Sequence, residues 1–347
     1  MRGKKLSTLT VAMAVFAATL FVTGTRAFAQ GGEHKVLHSF SRNGKDGVQP
    51  RAGLIFDASG NLYGTTYQGG TGLCSSTTAT GCGTVFRFSP KGGGGWTYKI
   101  VHNFQNDGRD GRSPYASLIV DASGNLYGTT YQGGTGLCTL SGTVIGCGTV
   151  FELSPKTGGG WTEKILHSFS YGTDGNYPYA SVIFDASGNL YGTTYAGGAN
   201  GYGTVFELVP NANGLWGEKV LHSFANNGTD GYYPFASLIF DAAGNLYGTT
   251  SDGGDSANCR GTGCGTVFEL VPTTGGRWGE KVLYSFEGGF GDGSYPSASL
   301  IFDTVGNLYG RPRREAAARH ANVALSSSCR PGRAGDGPRP YYTALAF

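Results

Sequence analysis

Apolar and polar residues alternate along this chain in short bursts that recur. An apolar run of strand length, "SLIFD" (237–241) or a near-copy, precedes a tight turn such as "ASGN". Glycine there supplies a backbone conformation that other residues resist. "LYGTT" comes next as a second strand, and a loop of variable length leads to "GTVFEL", a third. "SPKTGGG" turns the chain with proline and glycine, and "WTEKILHSF" (161–169) alternates as a fourth strand. A loop with a fixed core then leads on: "KDGVQP", "RDGRSP", "TDGNYP", "TDGYYP" or "GDGSYP".

The turn aspartates Asp57, Asp121, Asp185, Asp241 and Asp303 are spaced 64, 64, 56 and 62 apart. From each to the "GTVF" glycine the distance is 26, 27, 18 and 24 residues. From that glycine to the next aspartate it is 38, 37, 38 and 38. One loop absorbs nearly all the variation, so the rest is held as packed elements are. Four antiparallel strands in a repeat of this size predict an all-β fold, a β-propeller of four-stranded blades. The count is about five. Residues 34–40 read as a lone fourth strand and 299–310 as a lone first and second, so the fifth blade is built from both chain ends and is incomplete.

"GTVFELxP", "LHSF", "DGxxPxASL" and "GNLYGTT" resemble the GloVer-type tandem repeat of "choice-of-anchor" secreted bacterial proteins. The likeness covers about 280 residues. It implies a secreted repeat protein with a separate surface anchor, and it brings no catalytic residues. At Gly310 the pattern breaks into "RPRREAAARHANVALSSSCRPGRAGDGPRP", with no recognisable anchor.

Composition sharpens three points. Sixty-two glycines with 13% aromatics and 14% charged residues suit many short strands and tight turns. Arg2, Lys4 and Lys5, an apolar stretch to Val22 and the small-x-small Ala27-Phe28-Ala29 predict a cleaved signal peptide over 1–29. No later stretch is apolar enough to span a bilayer. The formal charge of +3 is set by the two ends; residues 30–310 carry fifteen basic and twenty-one acidic groups. A net-negative body without a basic stripe argues against nucleic-acid binding. Residues 311–347 hold seven arginines and no lysine. We read them as an Arg/Ala-rich disordered tail, a frameshift product or a replaced gene end, which leaves the last second strand with an open edge.

Cysteines come and go in pairs within the variable loops: Cys74 with Cys82, Cys138 with Cys147, Cys259 with Cys264, and neither in the third repeat. That is what local disulfides require, and in an exported protein we expect all three. Cys329 is left over. Two cysteines without a histidine make a poor zinc site.

Repetition also marks candidate chemistry. His38, His102, His167 and His222 share one column, with Tyr284 in fifth place. Equivalent positions on different blades stand too far apart to share an ion, so we expect packing and no metal site. Trp96, Trp161, Trp216 and Trp278 begin fourth strands as core. The "DxxGN" aspartates accept bonds from their own turns. The "DGxxP" loops are the binding candidates: Asp46, Asp110, Asp174, Asp230 and Asp292, with Tyr115, Tyr179 and Phe235 beside them. Tyr177, Tyr232, Tyr233 and Tyr295 add further rings. Carboxylates beside exposed rings suit sugars. HExxH, GxSxG and phosphate-cradling glycine loops are absent. We therefore expect a secreted, monomeric, non-catalytic binding or surface scaffold without cofactor. Its partner would be an extracellular polysaccharide or a cell-surface protein. The rivals are a polysaccharide-acting enzyme using Arg51, Arg87 and Arg112, where the repeats diverge, and a truncated product without function.

Overall fold

The computed structural model describes residues 35–74, 81–256, 258–288, 292–314 and 323–325. The leader expected over 1–29 and Cys329 lie outside them. The chain divides into residues 1–37 and 38–347. In the first unit, Lys35–Leu37 are described and carry no strand. The second unit holds the repeats.

The fold is all-β, with one short 3-10 turn at Cys259–Gly261 among the described residues. Each repeat makes an antiparallel sheet with its strands in sequence order. The first sheet comprises Ile55–Phe56, Leu62–Thr66, Thr84–Pro90 and Trp96–Asn103. The second comprises Ile119–Val120, Leu126–Thr130, Thr149–Pro155 and Trp161–Ser168. The third comprises Ile183–Phe184, Leu190–Thr194, Thr204–Pro210 and Trp216–Ser223. The fourth comprises Ile239–Phe240, Leu246–Gly253, Thr266–Thr273 and Arg277–Ser285, with Gly231–Pro234 added at the side of its long second strand.

Phenylalanines join one sheet to the next. Phe104, at the end of the first sheet's fourth strand, meets Phe151 of the second sheet at 5.2 Å. Phe169 meets Phe206, and Phe224 meets Phe268, each at 5.1 Å. All six are 0% exposed. Edge-on ring pairs at this spacing add attraction to the burial itself. The tryptophans pack beside these clusters, as the strand alternation predicts.

A one-residue bulge recurs where the third strand meets the fourth. The register shifts between Val85 and Phe86, Val150 and Phe151, Val205 and Phe206, and Val267 and Phe268. In the second sheet Phe151 faces Ile165 while Val150 faces His167, so Leu166 is the extra residue. A bulge reverses which face the next side chain takes. Glu163 and His167 are four residues apart, an even number, yet they leave the strand on opposite faces. Each sheet therefore offers its Glu-column residue to the preceding sheet and its histidine to the following one.

The "DGxxP" loops are held twice. The aspartate accepts a backbone N–H from the residue that follows the recurring phenylalanine: Ser41 to Asp46 (3.0 Å), Gln105 to Asp110 (2.7 Å), Ser170 to Asp174 (2.7 Å), Ala225 to Asp230 (2.9 Å) and Glu287 to Asp292 (2.6 Å). The glycine is forced by a close approach. A Cβ on Gly111 would lie 2.4 Å from Thr130 Oγ1 and 2.6 Å from Thr149 Oγ1.

Two expectations about the ends are corrected. Residues 35–40, within the stretch expected as a lone fourth strand, carry no strand. Phe40 instead packs on Phe86 at 5.3 Å. The second strand of the last repeat is not an open edge, because Leu308–Gly310 pairs with Val323–Leu325. The chain also keeps its register past the motif break. Ser294 faces Arg314 and Pro296 faces Pro312, as Tyr232 faces Asp252 and Pro234 faces Thr250. Pairing tolerates the foreign sequence "RPRR" because the ladder bonds belong to the backbone. The rest of 311–347 lies outside the described residues.

Candidate functional site

Two columns of side chains converge at the inner strands. One comes directly after the "DGxxP" proline: Arg51, Tyr115, Tyr179, Phe235, Ser297. The other comes after the second strand's "TT": Tyr67, Tyr131, Tyr195, Ser251, and Arg313 in the last repeat. Tyr179 stacks on Phe235 and on Tyr131, each at 4.5 Å. Tyr115 meets both Tyr179 (5.2 Å) and Phe235 (5.7 Å), which belong to the next two repeats. Arg51 lies over Tyr67 at 4.3 Å and over Tyr115 at 5.1 Å, in cation–π contact. Nearby, the Ser181 hydroxyl donates to the Ser117 carbonyl at 2.7 Å, and the Ser181 backbone N–H donates to Ser237 Oγ at 3.0 Å. Three repeats thus touch through the same position.

Beside the rings opens a cavity of about 780 Å3, lined by Tyr115, Tyr179, Tyr195, Phe235 and Tyr295 on its aromatic side and by Ser251, Asp252, Ser297 and Arg313 on its polar side. Its origin is legible in the columns. Where three repeats place rings, the fourth and fifth place Ser251 and Ser297, and the missing ring volume is the cavity. Asp252 accepts from Ser251 Oγ at 2.7 Å, and burial raises its carboxyl above the ordinary value. Burial, then the bond to Tyr131, raises the Tyr179 phenol. Rings for apolar faces, hydroxyls, one carboxylate and one guanidinium make a wall suited to a polyhydroxylated ligand.

The cavity divides the expected binding set. Tyr115, Tyr179 and Phe235 line it. Asp46, Asp110, Asp174, Asp230 and Asp292 do not; they hold their own loops and face the spaces between sheets. Asp252, Ser251 and Ser297 were missed, because they are departures from the repeat and repetition draws the eye elsewhere. Arg87 and Arg112 stand apart from the cavity. Arg112 is buried on the strand that pairs with Gln132–Gly133, and its desolvation lowers its pKa. The turn aspartates behave as expected: Asp57 accepts from Ser59 N, Asn61 N, Asn61 Nδ2 and Tyr63 Oη at 2.7–3.1 Å. Burial alone would raise its carboxyl, but these bonds outweigh it and hold it below the ordinary value.

The histidines of the column stand apart and each sits at its own junction. Each meets an aspartate of its own loop and, across the bulge, the next sheet's fourth strand. At the first junction His38 Nε2 lies 2.9 Å from Asp46 Oδ2 and stacks on Tyr98 at 3.9 Å, while Tyr98 Oη donates to Asp46 Oδ1 at 2.8 Å. At the second, Glu163 stands in Tyr98's place, and His102 Nε2 is 3.4 Å from both Asp110 Oδ2 and Glu163 Oε1. Burial, then the Asp110 charge, pushes the Glu163 carboxyl well above the ordinary value. The third joins His167 to Asp174 at 3.0 Å beside Glu218, whose carboxyl burial and then Asp174 push up to about 7. The fourth joins His222 to Asp230 at 3.3 Å beside Glu280, pushed up to about 6 by burial and then Asp230.

Cys74 and Cys82, Cys138 and Cys147, and Cys259 and Cys264 lie at S–S distances of 2.07, 2.09 and 2.07 Å, the pairs drawn from the loops. Three disulfides suit an oxidising, extracytoplasmic environment. Among the described residues no helix is long and apolar enough to cross a membrane.

The fold and its columns define a class, an all-β protein of tandem repeats. The chain belongs to the Gloeobacter/Verrucomicrobia repeat family, whose sequence model matches residues 23–144 and 72–323. No curated protein matches it.

Proposed function

We propose that this is a secreted repeat β-propeller of about five blades that binds extracellular glycan, without cleaving it, in the aromatic-walled cavity. The observation that carries the reading is the convergence of Tyr115, Tyr179 and Phe235, one position in three consecutive repeats, on a single cavity wall. Repeats disposed around an axis bring equivalent inner residues together in this way. Strand order supports it, with the first strand of each sheet nearest the convergence and the fourth farthest. The fifth blade takes its inner strands from 301–310 and 323–325. His38 and Phe40 stand against the first sheet as His102 and Phe104 stand against the second. Export through the leader over 1–29 accords with the disulfides.

A polysaccharide-acting enzyme is the rival. Glycoside cleavage ordinarily uses a carboxylate pair, and the cavity wall contributes Asp252. A glycan array followed by turnover measurement on the hits separates the two. We expect binding that falls at least about tenfold in Tyr179→Ala, in line with losing one stacked ring, and no release of shortened product. Cleavage of a bound glycan would favour the enzyme, and binding unaffected by Tyr179→Ala and Phe235→Ala would place the ligand elsewhere.

A further inference from the structure

Two of the inter-sheet junctions hold ligand atoms poised around a common point. His102, Asp110 and Glu163 each offer one atom, all within 4.8 Å of one another; so do His222, Asp230 and Glu280. His102 Nε2 is 3.4 Å from an oxygen of each carboxylate, and His222 Nε2 is 3.3 Å from Asp230. Those separations are long for hydrogen bonds between charged groups, which close to about 2.7–2.9 Å. The two separations at His102, whose Nε2 has no hydrogen-bond partner, match another geometry. Nitrogen and oxygen ligands sit about 2.0–2.1 Å from zinc, and the edge of such a tetrahedron is about 3.3–3.4 Å.

A second observation points the same way. Asp110 and Asp230 are 7% and 8% exposed, and Oδ1 of each has no hydrogen-bond partner. Glu163 Oε1 and Glu280 Oε1 are likewise buried without one. In the first junction the equivalent Asp46 Oδ1 takes the Tyr98 hydroxyl at 2.8 Å. The orphaned oxygens of Asp110 and Asp230 therefore face the positions of Glu163 and Glu280. Two carboxylates beside one imidazole, screened from water, do not both stay ionised without a counter-charge, which a bound cation or a shared proton supplies.

We propose that the His102–Asp110–Glu163 and His222–Asp230–Glu280 clusters are two zinc-type divalent metal sites that pin adjacent sheets together. The donor set, one imidazole and two carboxylates, suits a borderline first-row ion such as Zn²⁺, whereas Ca²⁺ takes six to eight oxygens. One ion neutralises both carboxylates, and an aspartate that binds it through both oxygens gives the orphaned Oδ1 a partner as well. The three side chains leave a fourth position for water. Each ion is held by two sheets, so it acts as a clip between repeats. Tyr98 brings its own proton and makes the first junction independent of metal.

The test uses the oxidised mature chain, stripped with chelator and titrated with ZnCl2 by calorimetry at neutral pH, with bound metal counted after dialysis. We expect about two ions per chain and a rise in melting temperature on loading. Glu163→Gln and Glu280→Gln should each remove one ion. Glu163→Tyr, which copies the first junction, should also remove one and leave the metal-free melting temperature unchanged or higher, so a lost site is not mistaken for lost fold. MnCl2 and CaCl2 arms should bind more weakly. No stoichiometric zinc, meaning that a shared proton alone fills the gap, would overturn the proposal. So would zinc that survives both glutamate variants.

Discussion

The first and second junctions share one plan and end in different chemistry. Both set a histidine and a "DGxxP" aspartate of one stretch against the fourth strand of the next sheet. At the first, Tyr98 donates to Asp46, and every oxygen of that aspartate has a partner. At the second, Glu163 in the same place can only accept when ionised, and Asp110 Oδ1 is left bare. A phenol and a carboxylate occupy the same place, but only one arrives with its proton. The packing beneath differs too: Phe104 is 0% exposed at the second junction, while Phe40 at the first is half-buried. One fold thus keeps a junction closed by a phenol's proton beside one where two carboxyl groups face each other.

The largest way to break this comparison is in the packing. Phe104→Ala should destabilise by about 3–5 kcal/mol, as for other fully buried rings, and Phe40→Ala by about half that or less. Denaturant unfolding checks both, and equal costs would mean the first junction is as tightly packed as the second. The disulfides give a scale for that contrast, Cys74–Cys82 packing beside Phe104 at the second junction and Cys138–Cys147 beside Phe169 at the third. Removing Cys74–Cys82 or Cys138–Cys147 by paired Cys→Ala substitution should cost about 2–3 kcal/mol each, since the loops are of similar length. Tyr98→Phe sharpens the contrast. It takes the phenol donor from Asp46 Oδ1, leaves that oxygen the Gly47 N–H alone, and should cost about 1–2 kcal/mol.

The smallest effect is electrostatic. Glu218, beside His167 and Asp174, has its folded pKa raised from 4.5 to about 7. A raised acid is protonated more readily in the folded state. Its contribution is therefore fully present below about pH 4.5 and is lost as pH rises through about 7. We expect metal-free protein to lose up to about 1 kcal/mol across that window, after solvent screening. The loss should be absent in Glu218→Gln, as melting curves between about pH 4 and pH 8 would show.

Much of the architecture was legible in the sequence. Strand order, the tight turns at Asp57 and its copies, the cysteine pairs and the tryptophan core arise from local patterns, because hydrophobic alternation and turn chemistry act within a few residues. The aromatic half of the cavity was legible as well, in Tyr115, Tyr179 and Phe235. Its polar half was not. Ser251 and Ser297 mean something only where rings from other repeats stand beside them. The tail misled in the other direction: Pro312–Arg314 lacks the motif yet keeps the register, because the neighbouring strand supplies its ladder partners.

What the sequence determined by itself is the repeat: how many strands, in what order, and which side chains recur. What only the tertiary structure decided is which recurring side chains meet. Glu163 and His167 share a strand and a parity, and alternation alone would place them on one face. The extra residue Leu166 reverses that, because a bulge adds one residue to one strand without adding one to its neighbour. His102 therefore meets the glutamate sixty-one positions on, and the chemistry of each junction is written by two repeats that the chain keeps far apart.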